Sequence, residues 1–193
     1  MDLQAINPIV YNAWLQRKNG GSRYYTPSTI EQLQQIEDRV GCHLPADFTE
    51  FMLKYSCVAP TPKNKCSCFK VDYVTGAKLG MIWGLVDCAK SIIDATAFYH
   101  ETSSYNDEIG PRLPKSLLPL TRSEEAALLI DLRPESFGNI LYHPDLTYYT
   151  FGTDLNDWWR VGYVAPTFTD MLKELNTEEV ICQRYNLQLG NYD

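Results

Sequence analysis

Apolar residues between positions 28 and 55 recur every three or four residues, as in a helix that buries one face. Ser28, with Glu31 three residues later, has the form of a capping box at a helix start. Gly41 suits the left-handed residue that ends such a helix, and Pro45 suits the first turn of the next. The segment therefore predicts two helices joined as a hairpin. Their apolar stripes are Ile30, Leu33, Ile36 and Val40 in the first helix, and Phe48, Phe51, Met52 and Tyr55 in the second.

The rest of the chain predicts a mixture of strands and helices. Alternation of apolar and polar residues, and short apolar runs bounded by turn residues, indicate strands. Side-chain caps indicate the helices, which are expected after Asn7, from Asp87 to about Tyr99, and after Thr167. This order of elements argues for a single α+β domain with a mostly antiparallel sheet flanked by helices. The predicted strands cover residues 69–73, 79–83, 117–120, 126–132, 138–143 and 148–151.

Three segments, in this order, resemble the SUKH superfamily. The helical hairpin is similar to the start of that family's domain, residues 119–142 (PLTRSEEAALLIDLRPESFGNILY) to its central hairpin, and residues 164–175 (VAPTFTDMLKEL) to its closing helix. The resemblance implies a SUKH-like domain at residues 28–176. Residues 1–27 would then be an N-terminal helical extension, and residues 177–193 a tail or short helix.

The resemblance implies a binding protein rather than an enzyme. Bacterial SUKH proteins are mostly immunity proteins, which bind and neutralise a cognate secreted toxin, often a nuclease. Other members, including regulators of yeast cell-wall synthesis, act as regulators or adaptors. We therefore expect an immunity protein that occludes the active site of its toxin. The alternatives are a regulatory or adaptor module and, from another class, a small metal-dependent hydrolase.

Composition and charge are those of an acidic globular protein. The 193 residues are 45% hydrophobic and 21% charged, and no stretch approaches the roughly 20 apolar residues that span a bilayer. The first residues lack the basic and apolar regions of a signal peptide, so we expect a cytoplasmic protein without a membrane partner. Residues 87–157 hold twelve acidic and five basic side chains, which accounts for the whole net charge of −7. This charge disfavours nucleic acid as a partner and favours a basic toxin.

The cysteines offer only weak evidence for metal chemistry. Cys57, Cys66 and Cys68 lie close together on a predicted loop, but a strong sequence signal for structural zinc has two CxxC-like pairs, and here there is one CxC and an isolated cysteine. Zinc, a regulatory disulfide and reduced thiols all remain open for this loop, and we expect no cofactor. The loop also departs from the family, because many members have an Asn-Gly-Gly turn where this chain has residues 56–58 (SCV).

Aromatic side chains beside carboxylates suggest the partner-binding surface. Large rigid rings supply contact area at the centre of an interface, and surrounding charges guide association. In the alternative interpretation, one of the two tryptophans belongs to the core and the aspartates cap a turn. The sequence does not indicate the oligomeric state. The predicted partner-binding residues are Asp107, Glu108, Tyr148, Tyr149, Asp154, Asp157, Trp158 and Trp159.

Overall fold

Seven α-helices and six β-strands form the regular structure of the described residues. The computed structural model describes residues 1–20, 26–55, 67–101, 111–121, 126–144, 146 and 158–190. The helices are α1 (Leu3–Ile6), α2 (Pro8–Asn19), α3 (Ile30–Val40), α4 (Ala46–Lys54), α5 (Ala89–His100), α6 (Phe168–Glu174) and α7 (Glu178–Tyr185). The strands are β1 (Cys68–Tyr73), β2 (Gly76–Met81), β3 (Leu117–Pro119), β4 (Ala127–Asp131), β5 (Ile140–His143) and β6 (Gly162–Ala165).

The six strands form one sheet in the order β2-β1-β6-β5-β4-β3. Every pairing is antiparallel, so the predicted α+β fold is confirmed. β6 lies between β1 and β5 and joins the two halves of the sheet. Its pairing with β1 is short and is centred on Asp72 and Tyr163. The sequence did not predict β6, because its four residues show no clear alternation.

The helical hairpin forms as predicted, but Ile30 of the predicted apolar stripe is 69% exposed, and the capping box lies one residue later. The side chain of Thr29 accepts from the backbone N–H of Gln32, and the side chain of Gln32 accepts from the N–H of Thr29. Ser28 is buried instead, and its N–H donates to the carbonyl oxygen of Met52 at 3.0 Å. Gly41 ends α3 in the left-handed conformation, at φ +76°.

Aromatic packing joins α4 to α6 in the centre of the main core. The Phe168 ring lies 5.2 Å from the Phe48 ring and 4.8 Å from the Phe51 ring, both edge to face. Asp47 accepts hydrogen bonds from the backbone N–H of Thr169 at 2.8 Å and from its hydroxyl at 2.9 Å. These contacts fix the hairpin and α6 to each other.

The N-terminal segment packs on the same core. Asn7 caps α2, as predicted, and its amide nitrogen donates to the carbonyl oxygens of Leu172 and Leu175 at 2.8 and 2.9 Å. The Trp14 indole donates to the carbonyl oxygen of Tyr55 at 2.8 Å. The division of the chain at residue 27 stays a prediction.

The bounds of β2 and the cap of α5 differ from the prediction. β2 begins at Gly76 and ends at Met81, because the hairpin turn is tight and the strand pairs from Gly76 onward. α5 has Cys88 at its N-cap, without a side-chain capping hydrogen bond, where Asp87 was predicted. The predicted strand at residues 148–151 lies outside the described residues.

The second face of the sheet carries two smaller apolar clusters. One surrounds Ala95 and Tyr99 of α5, and the other surrounds Ile181 and Cys182 of α7. α7 therefore covers the β1–β2 end of this face, while α5 covers the end at β3 and β4.

Candidate functional site

The structure describes two of the eight residues predicted to bind the partner, Trp158 and Trp159. They form a short 3-10 helix with Arg160, directly before β6. The exposed fractions are 39% for Trp158 and 58% for Trp159, so neither ring is a core residue. The other six lie outside the described residues: Asp107, Glu108, Tyr148, Tyr149, Asp154 and Asp157.

Two arginines lie over the exposed tryptophan rings. The guanidinium carbon of Arg133 is 4.3 Å from the Trp158 ring centroid, and that of Arg160 is 5.8 Å from the Trp159 centroid. A guanidinium over an indole face is stabilised by the ring quadrupole and restricts the ring's motion. We call Trp158, Trp159, Arg133 and Arg160 the tryptophan surface.

A buried carboxylate holds Arg133 in place. Asp131 is the last residue of β4, and its side chain is 1% exposed. Its Oδ1 accepts from the Arg133 backbone N–H and from Nε, both at 3.0 Å, and its Oδ2 accepts from Nη2 at 2.6 Å. The Ser136 hydroxyl donates to the same Oδ2 at 2.7 Å. The turn between β4 and β5 is thereby tied to the base of the tryptophan surface.

The pKa of Asp131 reflects this arrangement. Burial alone would raise the pKa, but the hydrogen bonds from Arg133 and Ser136 outweigh burial and bring it below its ordinary value. The carboxylate is therefore charged at neutral pH and pairs with Arg133. The sequence analysis missed both residues. The available signal was an aspartate near the end of the apolar strand run at residues 126–132, followed two positions later by an arginine.

A shallow groove lies between the sheet and the C-terminal helices. It has a volume of about 310 Å³, with Lys70, Asp72 and Tyr163 on the strands and Asp170 and Tyr185 on the helices. An ion pair forms within each wall: on β1, Lys70 Nζ is 2.6 Å from Asp72 Oδ2, and on α6, Lys173 Nζ is 2.8 Å from Asp170 Oδ1. Because acids and bases alternate, the groove adds little net negative charge.

Tyr163 is the exposed aromatic residue of this groove, at 37%. Burial of its hydroxyl raises its pKa, and the charges of Asp170 and Asp72 raise it further. The phenol is therefore neutral at physiological pH.

The predicted concentration of negative charge is tested only in part. Five of the twelve acidic residues of segment 87–157 are described: Asp87, Asp94, Glu101, Asp131 and Glu135. Asp131 is buried against Arg133, and Glu101 bonds Arg39 at 2.6 Å. Glu135 also lies 3.9 Å from Arg133 Nε, so three of these five carboxylates are already paired with an arginine. The other seven acidic residues lie outside the described ranges.

Of the three cysteines considered for zinc binding or a disulfide, the structure describes Cys68 alone. Cys68 is 5% exposed, and burial, followed by the charge of Glu178, raises its pKa to about 11. This thiol keeps its proton at neutral pH, so Cys68 is a core residue rather than a nucleophile. Cys57 and Cys66 lie outside the described residues, and the choice among zinc, a disulfide and free thiols stays open.

Two further properties concern the described residues only. Within them, no group of three or more His, Cys, Asp or Glu side chains is placed to hold a metal ion. None of their helices combines the length and the apolar character needed to cross a membrane.

Comparison with known proteins identifies one family. The model of the SMI1 / KNR4 family (SUKH-1) matches residues 27–174, which is most of the chain. The match includes the helical hairpin, the β4–β5 hairpin that carries Asp131 and Arg133, and α6. We found no match among the curated proteins.

Proposed function

We propose that this chain, which belongs to the SMI1 / KNR4 family (SUKH-1), is an immunity protein that binds a cognate secreted bacterial toxin and occludes its active site. The resemblance predicted from the sequence is confirmed by this membership, which is compatible with a toxin-immunity function. We further propose that the toxin is a basic protein of the nuclease class and that the chain acts by stoichiometric binding, not by catalysis.

The tryptophan surface is the observation that carries this proposal. Tryptophan and arginine are the residues most enriched among those that dominate binding energy at protein interfaces. Trp158 is exposed, yet it is supported by an arginine that a buried carboxylate holds in place. A ring ordered before binding loses less conformational entropy when a partner covers it. This arrangement favours an interface over a merely solvent-exposed ring.

A regulatory or adaptor role is the second candidate, and it would use the same surface. Membership of the family is compatible with this role as well. The gene neighbourhood distinguishes the two, since a large secreted toxin encoded beside this chain favours immunity. A small hydrolase is supported less well, because Cys68 is buried and protonated.

The proposal is tested with the toxin encoded next to this chain. We expect a stable complex and complete inhibition of the toxin at a one-to-one ratio. Trp159→Ala should weaken binding by about 2 kcal/mol, or roughly 30-fold in Kd, as expected for a central aromatic residue, mainly through faster dissociation.

Trp83→Ala is the matched control, because Trp83 is 56% exposed, close to the 58% of Trp159. Its Kd should stay within about threefold of the wild-type value, the small change usual for most positions tested by alanine substitution. Absence of any complex with the neighbouring toxin would overturn the proposed function. A Kd for Trp159→Ala within about threefold of the wild-type value, as expected for Trp83→Ala, would remove the tryptophan surface from the interface.

A further inference from the structure

Arg133 carries hydrogen-bond donors that the described part of the chain does not use. A guanidinium has five N–H groups in one plane. Asp131 takes one edge of that plane, where Nε and Nη2 donate to its two oxygens at 3.0 and 2.6 Å. Nη1 makes no hydrogen bond to a described residue, and it is not among their buried polar atoms that lack a partner. Because the side chain is 35% exposed, the Nη1 end of Arg133 reaches the surface.

These donors are held in place before any partner binds. The centroid of the Trp158 ring lies 4.3 Å from the guanidinium carbon, so the ring covers one face of the group. The Arg133 carbonyl oxygen accepts from the Ser136 N–H at 3.1 Å, within the short 3-10 turn that follows it. The buried carboxylate of Asp131 accepts from both the backbone and the side chain of Arg133. A donor fixed in this way loses little conformational entropy when it meets an acceptor.

The charge around Arg133 favours a neutral acceptor over a carboxylate. Oxygens of Asp131 and Glu135 lie 2.6 and 3.9 Å from nitrogens of the guanidinium, so two negative charges stand against one positive charge. The charge of Arg160 brings the sum over the tryptophan surface to zero. A carboxylate of a partner therefore gains no net attraction here. A carbonyl oxygen is not repelled and still receives a hydrogen bond from a charged donor.

We propose that the Nη1 end of Arg133 donates to a main-chain carbonyl oxygen of the toxin, and that the side chain next to this carbonyl covers the exposed part of Trp158. This inference rests on the proposed function and specifies what the tryptophan surface recognises. Every residue of a basic toxin carries such an oxygen and adds no negative charge with it. The planar guanidinium and the ring beside it then fix the position of the bound segment.

Arg133→Lys tests this contact with the toxin encoded next to the chain. Lysine keeps the positive charge beside Asp131 but lacks the planar fork and its second edge of donors. We expect the Kd to rise by roughly tenfold, the effect of one lost hydrogen bond from a charged group. Arg39→Lys is the matched control, because Arg39 is also 35% exposed and its Nη2 lies 2.6 Å from Glu101. Its Kd should stay within about threefold of the wild-type value.

Arginine ¹⁵N NMR of the wild-type chain distinguishes a direct contact from mere support of Trp158. The Nη signals of Arg133 are assigned by their absence in Arg133→Lys. A hydrogen bond to the toxin should shift these signals and slow the exchange of their hydrogens with water, whereas the signals of Arg39 should stay as they are in the free protein. An arginine that only supports the ring would keep its Nη signals unchanged in the complex.

Glu135→Gln tests whether the acceptor is neutral. The substitution should not tighten binding, because a carbonyl oxygen carries no full charge for Glu135 to repel. A Kd lowered by more than about threefold would indicate a carboxylate acceptor and overturn the proposal.

The remaining outcomes separate this contact from the proposed function. A stable complex in which Arg133→Lys binds as tightly as wild type, or in which the Nη signals of Arg133 do not change, would refute the contact and leave the proposed function standing. Absence of any complex with the toxin would refute both.

Discussion

Asp131→Asn tests whether the buried carboxylate supports the tryptophan surface. The substitution keeps the shape of the side chain and removes its charge. The carboxylate accepts hydrogen bonds from three groups of Arg133 and from the Ser136 hydroxyl, at 2.6–3.0 Å. An asparagine keeps one acceptor oxygen but points an NH₂ group at donors on the other side. The bidentate contact with Arg133 is therefore lost.

The expected loss of stability is about 2 kcal/mol. Hydrogen bonds to charged groups contribute about 1.5–3 kcal/mol each, and the removal of one member of a buried pair leaves the other unsatisfied. Arg133 is 35% exposed, so water recovers part of this energy. For a domain of this size the Tm should fall by about 4–8 °C. Glu135→Gln is the control, because its carboxylate is 68% exposed and lies 3.9 Å from Arg133; it should change stability by less than about 0.5 kcal/mol.

The stability difference should depend on pH in a defined direction. The pKa of Asp131 in the folded protein lies below its ordinary value of 3.8, because the bonds from Arg133 and Ser136 outweigh the effect of burial. A carboxylate whose pKa is lowered by folding stabilises the protein above its unfolded pKa, and this contribution disappears as the pH falls through the folded pKa. The difference in free energy of unfolding between wild type and Asp131→Asn should therefore be constant near neutral pH. It should shrink as the pH falls below 3.8, the ordinary pKa of the group.

Urea unfolding followed by circular dichroism measures this gap at each pH. Tryptophan fluorescence of the folded state adds a local probe, because Arg133 lies over Trp158. Equal stability of Asp131→Asn and wild type at neutral pH would refute the argument. A gap that stays the same in acid would show that the lost energy does not come from the charge of Asp131.

Two further predictions concern the fold. Gly162→Ala should reduce the free energy of unfolding by about 2 kcal/mol or more, because the added Cβ would lie 2.0 Å from Val71 Cγ1. Gly84→Ala is the control and should be tolerated, because the nearest atom to its added Cβ is 3.7 Å away. Urea unfolding compares the two variants, and equal stability would contradict the close packing of β6 on β1. Thr29→Ala removes the cap of α3 and should lower the free energy of unfolding by about 1 kcal/mol, whereas Glu31→Gln should lower it by less. In the same assay, a larger loss for Glu31→Gln than for Thr29→Ala would show that the cap is wrongly assigned.

The sequence predicted the helices well because their signals are local. The apolar stripes and Gly41 identify α3 and α4 from neighbouring residues alone. The cap of α3 was misplaced because two overlapping patterns are present, Ser28 with Glu31 and Thr29 with Gln32. Local sequence cannot choose between them. The choice follows from the hydrogen bond between the Ser28 N–H and Met52, which requires the packed hairpin.

The strand β6 and the support of Trp158 depend on contacts between distant parts of the chain. β6 has four residues and is defined by pairing with β1 and β5. Arg133 lies 25 positions before Trp158 in the sequence, and the two meet because β4, β5 and β6 are neighbours in the sheet. The tryptophans could be selected from the sequence as exposed candidates, but the residues that hold them could not.

The formal charge of a segment is a poor guide to the field at its surface, and the tryptophan surface shows why. The sequence counts Asp131 among the acids expected to attract a basic toxin, yet this carboxylate is buried and neutralises Arg133. Glu135, 3.9 Å from Arg133, brings a second carboxylate to the same surface. The tryptophan surface is therefore close to neutral, as is usual at the centre of an interface, where charge is depleted and aromatic residues and arginine are enriched. Attraction of the basic toxin that we propose would come from other carboxylates, so Trp159→Ala should change the dissociation rate and leave the salt dependence of association unaltered.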